Sequence, residues 1–515
     1  MNLFQMLERT ARSHRGDSRA ITFEGDERSF TTVRDRSLRL ARGLHGAGVR
    51  PHDRVAVLMG NRHEWPETLF GLAALGAVCV PVNVLLTGRE VRHVCSDSEV
   101  RALIVDELGE PKLEEIGELP ELVIAVGDAD AGATALAYEE LPERDLPPQP
   151  GGDDVLIHYY SSGTTGLPKA AVHTHENVLW NSFGQIVDIG LGPDVRYLVV
   201  PSLSWAAGFH NLVLGLVFTG GSSVLMPTGG LTVERIVDAL EREQATHVML
   251  VPSLLRQIGA DEEALKRLRD TQLRWIVTGA EPVPAPLIEL LMEALPETQV
   301  CQGYGMSEFP TIATLLRPEE ALEHAGSAGR PLSHTDVAVQ LDDGTIADAG
   351  RGELLMRSPA TMVRYHGMPE ETEAALADGW LHTGDLVEVD EQRYVTIVGR
   401  TKDMIISGGL NVYPKEIEDV LATQPGVAEV AVVGVPDEHY GEAPVAVLVP
   451  LEGEDIDHAA IESACATHLA SYKRPRAVLQ YDGPLPRNPT GKLLKRELRP
   501  WAATEVGRGT PPGRG

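Results

Sequence analysis

The chain reads as an α/β protein: a large N-terminal domain of doubly wound sheets with an added β subdomain, then a small C-terminal α+β domain. From about residue 30 to 250, short runs rich in Val, Ile and Leu alternate with helical patterns. That texture belongs to parallel sheets covered by helices on both faces. Beyond residue 326 the pattern shifts to alternation, over 336–353 and 393–398, which suits a smaller antiparallel unit. After Gly399 and Arg400 the residues form a compact αβ pattern of their own, and 515 residues are too many for one core.

Taken in order, residues 1–17 (MNLFQMLERTARSHRGD) carry charge too early for a signal peptide and predict a short amphipathic helix. Residues 54–59 (RVAVLM) read as a buried strand, 64–77 as a helix and 78–84 as the next strand. Further strands are expected at 102–105, 122–126, 197–200, 246–251 and 273–278. A polar, Pro- and Gly-rich connector covers 143–153, just before an apolar segment of Val155, Leu156 and Ile157. Near the C-terminus a helix is expected at 415–423, strands at 427–435 and 443–450, and a helix at 456–469. Residues 502–515 hold glycines and prolines without apolar periodicity and are expected to be disordered. The organisation expected is therefore 1–400, 401–500 and a disordered tail, 501–515, without internal repeats.

A hydrophobic content of 43% fits a folded globular chain. A net charge of −30 argues against nucleic acid or an anionic membrane as partner, since their phosphates need a basic surface. An anionic substrate would have to meet a local cluster of donors. The four cysteines, Cys79, Cys95, Cys301 and Cys465, are scattered without metal-ligand spacing. They suit free thiols packed in a reducing, cytoplasmic compartment. The longest apolar stretches, such as 212–218, are broken by glycine and fall short of a membrane span. The sequence leaves a homo-oligomer open.

The most informative run is 159–169, YYSSGTTGLPK. It can present backbone N–H groups around Gly163 and Gly166, the hydroxyls of Ser161, Ser162, Thr164 and Thr165, and the Lys169 ammonium to a polyphosphate. It is not a Walker A loop, because its glycines stand three apart and no Ser or Thr follows Lys169. On its own it would equally suit a Ser/Thr/Gly surface linker. Four further segments turn it into a site: QGYGMSE (302–308), WLHTGD (380–385), GRTKDMIISGGLNVYP (399–414) and PRNPTGK (486–492). Each singly reads as a turn or a capped element, but five in this order are not accidental.

Together these segments resemble the adenylate-forming superfamily of acyl-CoA synthetases, peptide-synthetase adenylation domains and firefly luciferase. The resemblance runs from about residue 5 to 500. In the C-terminal half, KDMIISGGLNVYPKEIE, PRNPTGK and HAGSAGRP are most similar to bacterial fatty-acyl-CoA synthetases. The resemblance implies that the loop from Ser161 to Lys169 closes over the β- and γ-phosphates of ATP. Gly279, Ala280 and Glu281 would lie along the adenine and Tyr304 would stack on it. Ser307 takes the place of a threonine beside the α-phosphate, and Glu308 that of the carboxylate that holds Mg²⁺. Asp385 and Arg400 would grip the ribose, and Lys492 would bridge the substrate carboxylate and the α-phosphate. The resemblance further implies a mobile C-terminal domain that swings about Lys402. That rotation would withdraw Lys492 and bring Ser407, Gly408 and Gly409 to the site, where residues without Cβ let pantetheine lie close.

The chemistry agrees with these roles. A carboxylate is a poor electrophile until its oxygen attacks the α-phosphate and turns it into an acyl-AMP with a good leaving group. Two anions must then approach each other, so Lys492 and Mg²⁺ on Glu308 would neutralise growing charge; one such donor is commonly worth ~10²–10³ in rate. The segment PSLSWAAGF (201–209) falls where relatives carry a histidine-containing motif, and here Ser204 replaces the histidine, with Trp205 beside it. Acyl specificity is expected from Ser204, Trp205, Phe209, the segment after Gly279 and the segment from Phe309 to Thr311; core packing of Trp205 and Phe209 is equally compatible with the sequence. The reading that results is an ATP-dependent acyl-CoA ligase for a hydrophobic carboxylic acid, with ATP, Mg²⁺ and coenzyme A. The alternative is an adenylating enzyme that passes the acyl group to an amine or a carrier-protein thiol. A binding module without catalysis has no use for Lys492.

Overall fold

The apolar runs pair side by side in the computed structural model, which describes residues 1–132, 135–160, 168–209, 213–279, 283–408, 410–437, 439–451, 453–487 and 493–508. Arg54–Leu58, Val78–Pro81 and Ala102–Val105 lie parallel at the centre of an eight-stranded sheet. They are almost wholly buried, as a strand with helices over both faces must be. One edge of this sheet turns antiparallel: Val155–Tyr160 pairs with Ala170–Thr174, which pairs with the two-residue strand Arg364–Tyr365.

A second, nine-stranded sheet runs from Arg330–Pro331 through Phe309–Leu316, Gln299–Met306, Trp275–Gly279, His247–Met249 and Arg196–Val199 to Ser222–Leu225. Its far edge is the N-terminal hairpin Arg19–Phe23 and Asp26–Ser29, which the sequence reading left unassigned. Phe30–Gly46, Glu64–Leu75 and His175–Ile189 contribute side chains to one core shared with both sheets. The last of these helices starts in a capping box, with the Thr174 side chain and Asn177 satisfying each other's backbone N–H groups. The N-terminal helix, Leu3–Ala11, forms as expected and is likewise closed by a capping box, from Asn2 and Gln5.

A five-stranded antiparallel sheet follows, with Asp336–Gln340, Gly350–Arg357, Leu381–Val389 and Val395–Arg400 as its longer strands. Past Arg400 the short turn Thr401–Asp403 leads into another sheet, centred on Val427–Asp437 and Gly441–Pro450. Pro414–Ala422 and His458–His468 pack against it. Arg351 in the antiparallel sheet reaches across to Glu416 at 2.6 Å and lies over the Tyr413 ring at 4.4 Å. Among the described residues no helix is long and apolar enough to cross a membrane.

The tail departs from expectation. Lys495–Gly507 is a helix despite Pro500, and of the tail only residues 509–515 lie outside the described chain. Leu498, Ala502 and Val506 stand four apart, on one helical face, and join Val433, Val445 and Leu479 in the C-terminal core. Trp501 packs edge-on against Tyr481, with centroids 4.9 Å apart. The turn-like composition hid a short apolar stripe that has a partner only in the folded domain. Because Leu498 is 1% exposed, Leu498→Ala should destabilise the C-terminal unit by ~2–5 kcal/mol. Urea unfolding followed by Trp fluorescence reads this out; an unchanged midpoint would place the helix off the core.

Candidate active site

Two residues, Ser307 and Glu308, connect the antiparallel strands Gln299–Met306 and Phe309–Leu316. This tight turn belongs to the nine-stranded sheet, yet its polar atoms are held from the eight-stranded one. His173, in Ala170–Thr174, lies with Nε2 at 2.8 Å from the Ser307 carbonyl oxygen. The carbonyl only accepts, so Nε2 carries the proton. Burial pushes the His173 pKa down to about 4, so the ring is neutral. The Tyr365 phenol donates to Glu308 Oε1 at 2.8 Å. Glu308 is 7% exposed, and its Oε2 makes no hydrogen bond to a described residue.

A second carboxylate is built in the same way. Asp385 and Arg400 face each other across the register of Leu381–Val389 and Val395–Arg400, with Arg400 Nε 2.9 Å from Oδ1. The Tyr304 phenol donates to Oδ2 at 2.6 Å. Burial first, then the Asp385 charge, raises the Tyr304 pKa, which keeps the phenol a donor. Glu353 braces the approach to Asp385: Oε1 accepts from Gly384 N at 2.8 Å and Oε2 lies 3.2 Å from His382 Nδ1. Lys402 follows in Thr401–Asp403. The residue is exposed, yet desolvation of its ammonium end and the nearby Arg400 charge lower its pKa, while Asp385 and Glu308 act the other way. Lys402 therefore sits in the field of both carboxylates.

Lys169 lies with Nζ 3.9 Å from Glu371 and 5.5 Å from the centre of the Tyr365 ring. Gly279 ends Trp275–Gly279, where a Cβ would come within 2.5 Å of the Gly303 carbonyl oxygen, so glycine is required by the neighbouring strand. The structure thus brings Lys169, Tyr304, Ser307, Glu308, Asp385, Arg400 and Lys402 to one region. Ser161, Ser162, Gly163, Thr164, Thr165 and Gly166 lie outside the described residues, as do Ala280, Glu281, Gly409 and Lys492.

Other expected residues stand elsewhere. Ser407 and Gly408 belong to the hairpin of Ile405–Ser407 and Leu410–Val412 in the C-terminal sheet. Gly408 has a φ of +59° there, and its N–H donates to the Tyr440 carbonyl at 2.8 Å. Ser204 exchanges a hydroxyl hydrogen bond with Ser202 at 2.8 Å. Phe209 and Phe309, both expected to shape the acyl pocket, are fully buried. Phe209 is 0% exposed, packed on Trp65 and Phe70 at 5.0 and 5.9 Å, because the short helix Ala206–Phe209 turns it inward. Phe309, also fully buried, opens the wholly buried strand Phe309–Leu316 and clusters with Ala171 and Met362. Trp205 is half-buried and belongs to none of these clusters. His173, Tyr365 and Glu353 went unnoticed in the sequence because their partners lie far along the chain; only the place of His173, just after the phosphate loop, could have drawn attention.

Among the described residues no group of three or more His, Cys, Asp or Glu side chains could hold a metal ion. Glu308 offers one carboxylate oxygen, which suits a hard cation completed by substrate phosphates and water, the usual manner of Mg²⁺. The four cysteines are buried, as expected, and burial pushes Cys301 up to about 12 and Cys95 to about 11, leaving them unreactive.

The neutral His173 makes the Ser307 contact sensitive to acid. A histidine with a lowered folded pKa stabilises the fold fully above its ordinary pKa of 6.5, and that stability is lost as the pH falls towards about 4. His63 and His175 are lowered to about 4 as well, and His158 to about 3, so they add to the same window. The melting temperature should therefore drop between pH 6.5 and 4. His173→Gln, which keeps a donor for the Ser307 carbonyl, should flatten part of that drop, each unit of pKa difference being worth ~1.4 kcal/mol. Parallel curves for the two proteins would show that His173 is not charged on unfolding in this range.

The AMP-binding enzyme family matches residues 7–366, and the AMP-binding enzyme C-terminal domain matches 416–492. A long-chain-fatty-acid–CoA ligase of Mycobacterium tuberculosis is 38% identical over 469 residues, 90% of each chain. A feruloyl-CoA synthase of Amycolatopsis is 38% identical over 482 residues, 93% of this chain and 95% of that one. The o-succinylbenzoate CoA synthetase of Bacillus subtilis, solved with the acyl-adenylate OSB-AMP, superposes with a TM-score of 0.85 at 28% identity, covering 100% and 99% of the two chains. The same synthetase in complex with ATP and magnesium ion gives a TM-score of 0.84 at 28% identity, over 96% and 98%. The chain belongs to the AMP-binding enzyme family.

Proposed function

We propose that the chain is an ATP-dependent, AMP-forming acyl-CoA ligase for a hydrophobic carboxylic acid. The observation that carries the reading is the convergence of Lys169, Glu308, Asp385 and Arg400, drawn from three sheets, at one place. The names of the relatives support the thioester as product, since those compared are CoA ligases or synthases. In the first half-reaction the acid's carboxylate oxygen attacks the α-phosphorus of ATP and pyrophosphate leaves. In the second the CoA thiol attacks the acyl carbonyl and AMP leaves.

Each side chain has a task suited to its chemistry. Lys169 is a compact cation at the exit of the phosphate loop and suits the outer phosphates. Asp385 is only an acceptor; with one bond from Tyr304 and one ion pair to Arg400, its oxygens keep lone pairs for ribose hydroxyls. Tyr304 presents its ring for the adenine while its phenol is tied to Asp385. Ser307, its backbone fixed by His173, would lie beside the α-phosphate. Glu308 would hold Mg²⁺, which screens the charge between phosphates and carboxylate. Lys492 would neutralise the attacking carboxylate, and the Gly408–Gly409 turn would lie along the thiol channel after a swing about Lys402.

Incubating the protein with ATP, Mg²⁺ and a panel of acids, with and without CoA, tests the reading: AMP release should depend on both acid and CoA. AMP release with an amine or a carrier protein but not with CoA would overturn the thioester product. Lys492→Ala should lower acyl-AMP formation by at least ~10²-fold while sparing thioester formation from supplied acyl-AMP. Gly409→Leu should do the reverse, with adenylate accumulating on the enzyme. Equal loss in both half-reactions would refute the division of labour between the two residues.

Trp205 is the largest partly exposed candidate for the acyl pocket, since Phe209 and Phe309 are fully buried. Its half-buried position supports a wall facing the acid, favouring medium-length or compact acids over long straight chains. Trp205→Ala should broaden acceptance towards bulkier acids, with the native acid losing ~1–3 kcal/mol of apolar contact. An unchanged acid profile with a stability loss of ~3–5 kcal/mol would make Trp205 a packing residue.

A further inference from the structure

The segment from Met362 to Thr372 belongs to none of the motifs above, yet it touches both ends of the phosphate-handling machinery. Its hydrogen bonds alternate between two sheets. Met362 N donates to the Glu308 carbonyl at 2.9 Å, and Val363 N to the Val172 carbonyl at 2.9 Å. Arg364 and Tyr365 pair antiparallel with Val172 and Ala171, and His366 N donates to the Ala170 carbonyl at 2.9 Å. The Tyr365 phenol then returns to Glu308 Oε1 at 2.8 Å. Thr372 Oγ1 accepts from Tyr365 N at 3.0 Å and fixes the backbone at that point. Glu308 is thus gripped at its main chain by residue 362 and at its side chain by residue 365.

The same tyrosine faces Lys169. Lys169 stands over its ring at 5.5 Å and is 3.9 Å from Glu371, two positions into Pro369–Ala375. One face of Tyr365 therefore lies under the loop's cation, while its hydroxyl holds the carboxylate on the opposite sheet. Burial and the Glu308 charge raise the phenol's pKa, so it remains a donor at any working pH.

We propose that residues 362–372 form a strap that sets the distance between Lys169 and Glu308, and that Tyr365 is the positioning residue for the Glu308 carboxylate. The phenol occupies Oε1 and so leaves Oε2 directed to the cation. Without it the carboxylate rotates freely, and the ordering that the fold had already supplied must be provided on metal binding. Donors that orient a metal-ligating side chain are commonly worth 10- to 100-fold in metal affinity. The proposal rests on the reading of Glu308 as the Mg²⁺ carboxylate.

The test is the rise in melting temperature produced by ATP in EDTA and by ATP with increasing Mg²⁺, measured for wild type, Tyr365→Phe and Glu308→Gln. Phenylalanine keeps the ring beneath Lys169 and removes only the hydroxyl. Tyr365→Phe should keep the shift caused by ATP in EDTA and raise the half-saturating Mg²⁺ concentration about 10-fold. An unchanged Mg²⁺ dependence overturns the proposal, and so does an equal loss of the ATP shift with and without metal. Glu308→Gln separates the two layers: if its Mg²⁺ response equals that of wild type, the metal reading of Glu308 itself fails. Should Tyr365→Phe not fold, Tyr365→Met, which also removes the phenol hydroxyl, takes its place, and an unchanged Mg²⁺ dependence in that variant overturns the proposal equally.

Discussion

A site that receives a polyphosphate and still buries two carboxylates faces an electrostatic problem, and the rest of this active site depends on how that problem is met. Asp385 and Glu308 are 2% and 7% exposed. A buried carboxylate without donors is costly, by several kcal/mol, and tends to take up a proton instead. Each of these receives one tyrosine phenol, Tyr304 for Asp385 and Tyr365 for Glu308. A phenol adds a hydrogen bond without adding charge, so the carboxylate keeps its own charge for a ribose hydroxyl or a cation. Among the described residues only Asp385 of the two has a direct ion pair, with Arg400, and that arginine is half-buried at the edge of the sheet.

The arrangement also fixes the two large sheets relative to each other at the site. The Ser307–Glu308 turn grows out of the nine-stranded sheet, while His173 and Tyr365 come from the edge of the eight-stranded one. That edge is where the sheet becomes antiparallel, so the strand leaving the phosphate loop runs directly to the residues that hold the turn. Lys169 and Glu308 thereby share one mechanical support. A neutral histidine is the economical choice for the main-chain contact, since a charged one at this depth would need a counter-ion that would compete with ATP.

The C-terminal unit is joined more loosely. Arg351 reaches Glu416, but Glu416 also binds Lys473 within its own domain, so breaking the contact with Arg351 leaves no bare charge. A contact of that kind is inexpensive to make and to release. Lys402, between the two units in the chain, feels the carboxylates of the large domain.

Much of this was legible along the chain. Buried parallel strands such as 54–59 and 102–105 show as unbroken apolar runs because both of their faces are covered. The site residues 304–308, 385, 400 and 402 fall inside short motifs whose spacing is local. The C-terminal helix was missed because Pro500 and the polar flanks mask a stripe, Leu498, Ala502 and Val506, that gains meaning only from the sheet beneath it. For Phe209 the sequence left pocket wall and core packing equally open, because an aromatic beside a site motif gives no sign of which way it faces; the structure buries both it and Phe309. His173 and Tyr365 were invisible for a related reason: they act on residues 134 and 57 positions away. Local pattern determined the elements, the family and the chemical groups of the site. Tertiary packing alone decided which side chains support them, because a hydrogen bond between sheets depends on how the sheets are stacked and leaves no period in the sequence.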